Sequence, residues 1–477
     1  MSQARLLRQL YRLPPRDQRA FLLWVASPFF NQNERLERLA TWLVNRSDPT
    51  PPDKRDVLAQ LYGEAAAAQG EQQVYDHYSA LLRLLEEFMA YRTLRGDDAT
   101  WRLALLQATL EQGDEEAFPR YHRQAAAALD ATPYRDARHH YQAYRLSLEA
   151  DGYFGRQRRR AFDQNLPDVE RHLDTFYLAS KLQHSCEMLN RNNIINTAYT
   201  PQMIDHLRQA LESPGNPYRE VPVIAIYYRI LLTLLEPETP AHYTVLETLL
   251  DTHAGQFARH EAYSMYSYAL NYCTRQLNRG QQGYLEKIFQ LFCSLLARDI
   301  LIEAGYLAHW HVKNIVTVAL RLHRYDWVRD FLDSYRERIE PGQRDNVYAY
   351  FLSLYHYEQQ QYPEALRQLQ KVVFTDVYYD LSARSLILKL YYEAGDYDAL
   401  DYHSKAFQSY LRRNKQISAA HRRIHRNLIR LTRKLVRARL RSDPADRDLW
   451  RERLGAEIAE VREIADLKWL QAQVARL

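Results

Sequence analysis

Of 477 residues, 46% are hydrophobic and the formal net charge is only +5, so the chain has the apolar content to bury a core, and general disorder is excluded. Fourteen glycines leave little backbone for phosphate-cradling loops, and three scattered cysteines, Cys186, Cys273 and Cys293, form neither a disulfide framework nor a Cys-x-x-Cys site. Good helix formers supply most of the rest and alternating apolar–polar runs are missing, so an all-α fold is expected.

The first region, 1–96, reads as short helices of unequal length. Gln3 to Arg12 meets Pro14-Pro15, Asp17 starts a helix through Phe21 and Val25, and Ser27-Pro28 ends it. Asn33 or Glu34 begins the next, a Pro-rich loop follows at 48–52, and Gly63 to Gly70 is an alanine-rich connector. A long helix then carries Val74, Tyr78, Leu81, Leu85 and Phe88 on 3- and 4-residue spacing. Irregular units of this kind are expected as an N-terminal cap on a helical array.

Region 97–300 continues in helical pairs. Asp98 and Asp114 start helices, Gly113 and Gly280 end them, and Pro133, Pro167, Pro201 and Pro217 open others. Gly152 and Gly155 frame a basic loop with Arg156, Arg158, Arg159 and Arg160, and Asn190 to Asn196 reads as a polar connector.

Region 301–413 carries a repeat. HRYDWVRDFL, QQYPEALRQL and GDYDALDYHS place Tyr325, Tyr362 and Tyr397 at separations of 37 and 35 residues, a period that means stacked helical hairpins. Thirty-six tyrosines suit such an array, since the ring packs between helices while the hydroxyl reaches a wet rim.

In 414–477, Ile417, His421, Ile424, Leu428, Leu431, Leu435 and Ala438 form a narrow apolar seam, and Asp443-Pro444 stops and restarts the helix. One final helix is expected through Trp450, Leu454, Ile458, Val461, Ile464 and Leu467.

The repeat resembles the tetratricopeptide family most clearly over about 304–413. The best unit places Ile387 and Tyr391 on helix A, Gly395-Asp396-Tyr397 at the turn and Phe407 on helix B. The unit before has Leu352, Tyr357, Tyr362, Ala365 and Leu369, and the one before that Ile315, Tyr325, Val328 and Leu332. Gln112-Gly113-Asp114 is similar to a degenerate earlier copy. The resemblance implies a right-handed α-solenoid of antiparallel helical hairpins, here ending in a long helical hairpin, that acts as a non-catalytic scaffold. Its concave groove would present Trp310, Lys313, Arg321, Tyr350, Tyr357, Lys389 and Tyr392 to a protein or peptide partner. The family's carboxylate clamp needs a groove asparagine; Thr317, Leu354 and Lys389 stand there, which counts against a clamp. The text Ala-Ser-Pro-Phe-Phe-Asn-Gln-Asn also resembles bacterial helical-repeat proteins without assigned activity.

Charge sets one segment apart. Between Leu411 and Arg441 lie 12 of the 64 basic residues and none of the 59 acidic ones, so the remainder carries a net −7. These are Arg412, Arg413, Lys415, Arg422, Arg423, Arg426, Arg430, Arg433, Lys434, Arg437, Arg439 and Arg441. They leave the seam, and they either pack on acidic side chains such as Glu452, Glu457, Glu460 and Glu463, or attract nucleic acid, an acidic protein or, least favoured, a lipid surface. Nucleic-acid binding through this helix is the alternative function.

Phosphate-loop, dinucleotide, zinc-protease and nucleophile-elbow motifs are missing, so enzyme activity, cofactors and metals are not expected. His421 and His425 sit four apart, but the surrounding cations would repel a metal; one seam and one exposed histidine are expected. His139-His140 and His309-Trp310-His311 have no partner ligand in view. Ala20 to Phe30 is apolar, yet Pro14-Pro15 and Asp17 precede it and no small-residue cleavage pattern follows, so a soluble cytoplasmic protein is expected.

Overall fold

A computed structural model describes the chain except for residues 1, 47–49, 64–70, 158–163, 195–197, 373–376 and 462, together with the side chains of 71, 193, 194 and 378. Helices account for 78% of it. Among the described residues the strands form one hairpin of two residues each, β1 (Ile302–Glu303) with β2 (Tyr306–Leu307), which the sequence pattern did not announce.

The elements fall into two compact units. Unit 1 comprises Met1–Met188 and Thr200–Ala225; unit 2 comprises Leu189–Tyr199 and Ile226–Leu477. In unit 1, α1 (Ser2–Leu10), α2 (Pro15–Ala26), α3 (Glu34–Asn45) and α4 (Lys54–Tyr62) each pack on α5 (Glu71–Gly96). Leu6, Leu10, Phe21, Leu39, Leu43, Tyr78 and Leu85 are fully enclosed between them. The Ser-Pro-Phe-Phe-Asn segment is a fixed loop. The Asn31 side chain donates to Val25 O (2.9 Å) and Asn33 O (3.0 Å), and Trp24 stacks on Phe30. Next come α6 (Asp98–Glu111), α7 (Phe118–Ala131) and α8 (Ala137–Arg156), packed around Leu106, Phe118 and Ala125. Gly152 and Gly155 lie inside α8 and not in a loop, and α9 (Asn165–Ile194) takes in residues 190–194 of the expected Asn-rich connector, 195 and 196 lying outside the described residues. Arg158, Arg159 and Arg160 lie outside the described residues. Two helices follow, α10 (Ile204–Glu212) and α11 (Pro222–Leu235), the latter belonging to unit 2 from Ile226 onward.

Unit 2 continues with α12 (Pro240–His253), α13 (Arg259–Asn278), α14 (Tyr284–Ala297), α15 (His309–Arg321), α16 (Tyr325–Tyr335), α17 (Arg344–Glu358), α18 (Tyr362–Leu369), α19 (Val377–Glu393) and α20 (Tyr397–Arg413). Chain neighbours pack as pairs, α13 on α14, α17 on α18 and α19 on α20, and α15 also reaches α17, which reaches α19. Tyrosine is a core residue here: Tyr243 and Tyr272 are enclosed with their rings stacked at 5.2 Å, and their hydroxyls donate to Glu247 and Pro237 O.

The repeated tyrosine marks a repeated turn. His323 (φ 57°), Gln360 (61°) and Gly395 (73°) are left-handed, each two residues before Tyr325, Tyr362 and Tyr397. At each, the next amide reaches back five residues: Arg324 N to Ala319 O, Gln361 N to His356 O and Asp396 N to Tyr391 O, all 2.9–3.0 Å. This is the Schellman closure of a helix, and Gly113 and Gly280 repeat it. A β-carbon is strained in that conformation by about 1–2 kcal/mol. Gln360→Gly is therefore expected to stabilise unit 2 by about 1 kcal/mol and Gly395→Ala to destabilise it by a similar amount, read by urea unfolding. A Cβ on Gly395 would meet no neighbour, so its cost is conformational alone.

The end of the chain departs from the expected pair of long helices. α21 (Ala419–Arg439) is followed by α22 (Pro444–Glu460), capped by Asp443 with Pro444 at its start as its sequence requires. The chain then turns, with Asp466 left-handed, into a third helix, α23 (Leu467–Ala475). His425, not His421, is the buried histidine, bonded to Ser385 at 3.1 Å.

Candidate functional site

The outward face of α15 reads Trp310, Lys313, Asn314, Thr317, Arg321, a stripe at i, i+3, i+4, i+7 and i+11. All five are exposed, Trp310 at 54%. Apolar residues of the same helix, Val312, Ile315, Val316 and Ala319, turn inward. On α13 a matching stripe of Tyr263, Ser267, Asn271, Thr274 and Asn278 faces outward, while Tyr266, Ala269, Tyr272 and Cys273 are buried. The two stripes border one cavity of about 530 Å³, and Leu285, Ile288 and Phe292 of α14 with Leu270 and Leu301 supply its apolar lining.

An exposed indole stands at one end of this groove, cations from Lys313 and Arg321 project along α15, and the amides of Asn314, Asn271 and Asn278 give both donors and acceptors. His311, edge-on to the Tyr263 ring at 5.7 Å, is held below the usual imidazole range by burial. It is therefore neutral at pH 7 and adds no charge. Among the described residues there is no group of three or more His, Cys, Asp or Glu side chains able to hold a metal ion.

Three of the seven expected groove residues, Trp310, Lys313 and Arg321, thus meet on one wall. The other four are placed differently. Tyr350 is 7% exposed and Tyr392 1%, both inside the core and not on an open wall. The reason for Tyr350 is that the middle of α17 is enclosed all round, with Ala349 through Ser353 consecutively buried. Tyr357 is half-buried; loss of hydration pushes its hydroxyl pKa up, with Glu393 adding to the rise, and the Lys389 ammonium lies over its ring at 5.2 Å.

Lys389 and Tyr392 are covered by α23. Lys389 Nζ donates to Asp466 at 2.7 Å, the Trp469 indole stands edge-on to Tyr392 at 5.4 Å, and Trp469 Nε1 and Gln473 Nε2 both donate to Glu393 Oε1. The chain's own last helix therefore occupies the α19 side that the family resemblance assigns to a partner. Asn271 and Asn278 were missed because α13 precedes the segment that carries the resemblance. Projecting its sequence at helical period shows their shared face.

The basic segment is partly neutralised. Arg423 pairs with Glu463 at 2.6 Å, Arg433 with Asp401 at 2.8 Å, Lys434 with Glu457 at 2.7 Å, and Arg430 also with Glu457. Arg439 lies over the Tyr392 ring at 5.4 Å. Arg412, Arg413, Lys415, Arg426, Arg437 and Arg441 are exposed and make no ion pair among the described residues. Arg422 is part-buried, its guanidinium 3.5 Å from Asn414 O.

Among the described residues no helix is long and apolar enough to cross a membrane. No family model matches this chain, and no curated protein or solved structure matches it either.

Proposed function

We propose that the protein is a non-catalytic interaction scaffold, a tetratricopeptide-like α-solenoid that binds an extended acidic segment of a partner protein between α13 and α15. The observation that carries this reading is the pair of exposed helical stripes over an apolar floor, with the Trp310 ring at its edge and Lys313 and Arg321 on one wall. A partner side chain buried against Trp310 supplies affinity. The two cations orient an acidic chain and speed its encounter, and the three asparagines satisfy backbone amides and carbonyls of an extended peptide. The helices beneath are fixed by their own cores, so the groove is formed before the partner arrives.

A peptide library displayed on phage and selected on the full chain tests this. Acidic sequences with one apolar anchor are expected to be enriched. Trp310→Ala is expected to weaken the selected peptides at least tenfold, about 1.4 kcal/mol or more. Arg321→Ala should weaken acidic peptides more than neutral analogues. Tyr350→Ala is expected to lower stability without a specific loss of affinity, since Tyr350 is interior. Unchanged peptide affinity in Trp310→Ala and Arg321→Ala would remove the groove assignment.

A further inference from the structure

The basic face of α21 is not used by the groove. Apart from Ala419, every exposed residue of α21 is an arginine: Arg423, Arg426, Arg430, Arg437 and Arg439. Arg423, Arg426, Arg430 and Arg437, with half-buried Arg433 and Lys434, recur at 3- and 4-residue spacing, so they form one stripe along the helix. Arg441 follows just past its end. At about 1.5 Å per residue the stripe from Arg423 to Arg437 runs about 21 Å along the helix. Glu457, Glu463 and Asp401 answer four of these cations, which leaves the stripe strongly positive and holds those four in place. Arg426, Arg437 and Arg441 remain without an ion pair among the described residues.

We propose that this face binds the sugar-phosphate backbone of double-stranded nucleic acid, without reading sequence. Four features favour that occupant. Within α21 the exposed face carries no aromatic or large aliphatic side chain, Leu440 being exposed just past the helix end, whereas a protein interface is anchored by several such residues and a membrane surface takes an inserted apolar face. Single strands are held by stacking bases on aromatic rings, and none lies in the stripe, so a duplex fits better. Arginine predominates over lysine, and its planar fork matches phosphate oxygens two at a time. The remainder of the sequence carries a net negative charge, which repels a polyanion elsewhere and focuses it here.

Fluorescence anisotropy of the full-length chain with labelled 24-base-pair DNA and RNA duplexes tests the proposal. Both duplexes are expected to bind, and log affinity should fall linearly with log salt, with a slope of about −0.9 per phosphate contacted. Arg426→Ala/Arg437→Ala/Arg441→Ala is expected to make that slope shallower by about 3 and to weaken binding at least 30-fold at 50 mM salt. The three side chains are exposed and unpaired, so circular dichroism should be unchanged. As a charge control, Arg19→Ala/Arg55→Ala/Arg83→Ala removes the same charge from exposed positions of unit 1 and should leave the slope unaltered. No duplex binding at 50 mM salt, or equal losses in the two triple variants, overturns the proposal. Tighter capture of polyglutamate or of vesicles rich in phosphatidylserine than of duplex would overturn it in favour of an acidic protein or a lipid surface.

Discussion

Replacing Leu470 by alanine is expected to destabilise unit 2 by about 2–5 kcal/mol and to detach α23 before the rest of the unit unfolds. Leu470 is fully buried in a cluster that includes Leu388, Tyr392, Leu428 and Leu435, so its removal leaves a cavity that only a shift of α23 can close. A nine-residue helix is too short to persist by itself, and α23 is helical because it is docked. Its polar contacts, Asp466 on Lys389 and Trp469 and Gln473 on Glu393, are partly solvated and do not compensate for the lost leucine. The result is read by hydrogen exchange. Amides of α23 should lose protection by several orders of magnitude while those of α13 and α14 keep theirs. A uniform loss through the whole unit would show instead that α23 is an integral part of its cooperative core.

How much of this was legible depends on whether a helix has one face or several. α15 was readable because its apolar positions occupy one side, and Trp310, Lys313 and Arg321 had to lie together on the other. α19 was not. In Leu386 through Tyr392 every position but Lys389 is apolar, so period alone does not fix the phase, and Tyr392, expected in the groove, is buried together with Leu388. The same limit applies to α21. Its buried arc includes Ile429, Thr432 and Val436 beyond the narrow seam, because α19, α20, α22 and α23 all pack on it. Turns were legible where the side chain carries the signal, as at Gly395 and Asp443-Pro444. His323 and Gln360 adopt the same left-handed turn as Gly395 without the composition that announces it, and only their register to the repeated tyrosine gives them away. The break before α23 was hidden for a related reason: Ile464 and Leu467 continue the helical period across a chain reversal.

Acid should weaken unit 1 well before its carboxylates are protonated. His139 and His140, in the first turn of α8, are held down to about 4 by burial, and Arg135 and the neighbouring His172 push both the same way. Arg171 adds to the effect at His140, while Asp136 and Asp130 oppose it at His139. Among the described residues neither ring nitrogen of His140, nor Nδ1 of His139, has a hydrogen-bond partner, so a proton added there finds no acceptor. Above pH 6.5 both folded and unfolded chains hold these rings neutral, and there is no pH dependence from them. Below 6.5 the unfolded chain takes up protons that the folded chain refuses until about pH 4. Stability is therefore lost across that window and levels off beneath it. Discounting for partial exposure, the pair should cost on the order of 3 kcal/mol by pH 4. Urea titrations at half-unit steps from pH 7.5 to 4 check this, with His139→Gln/His140→Gln expected to flatten the decline. His140→Phe should match or exceed the parent at pH 7.5, because it fills the same space without an unpaired nitrogen. An unaltered pH profile in the double variant would assign the acid sensitivity to other groups, and His77, His122 and His172, each also lowered chiefly by burial, would be the next to replace.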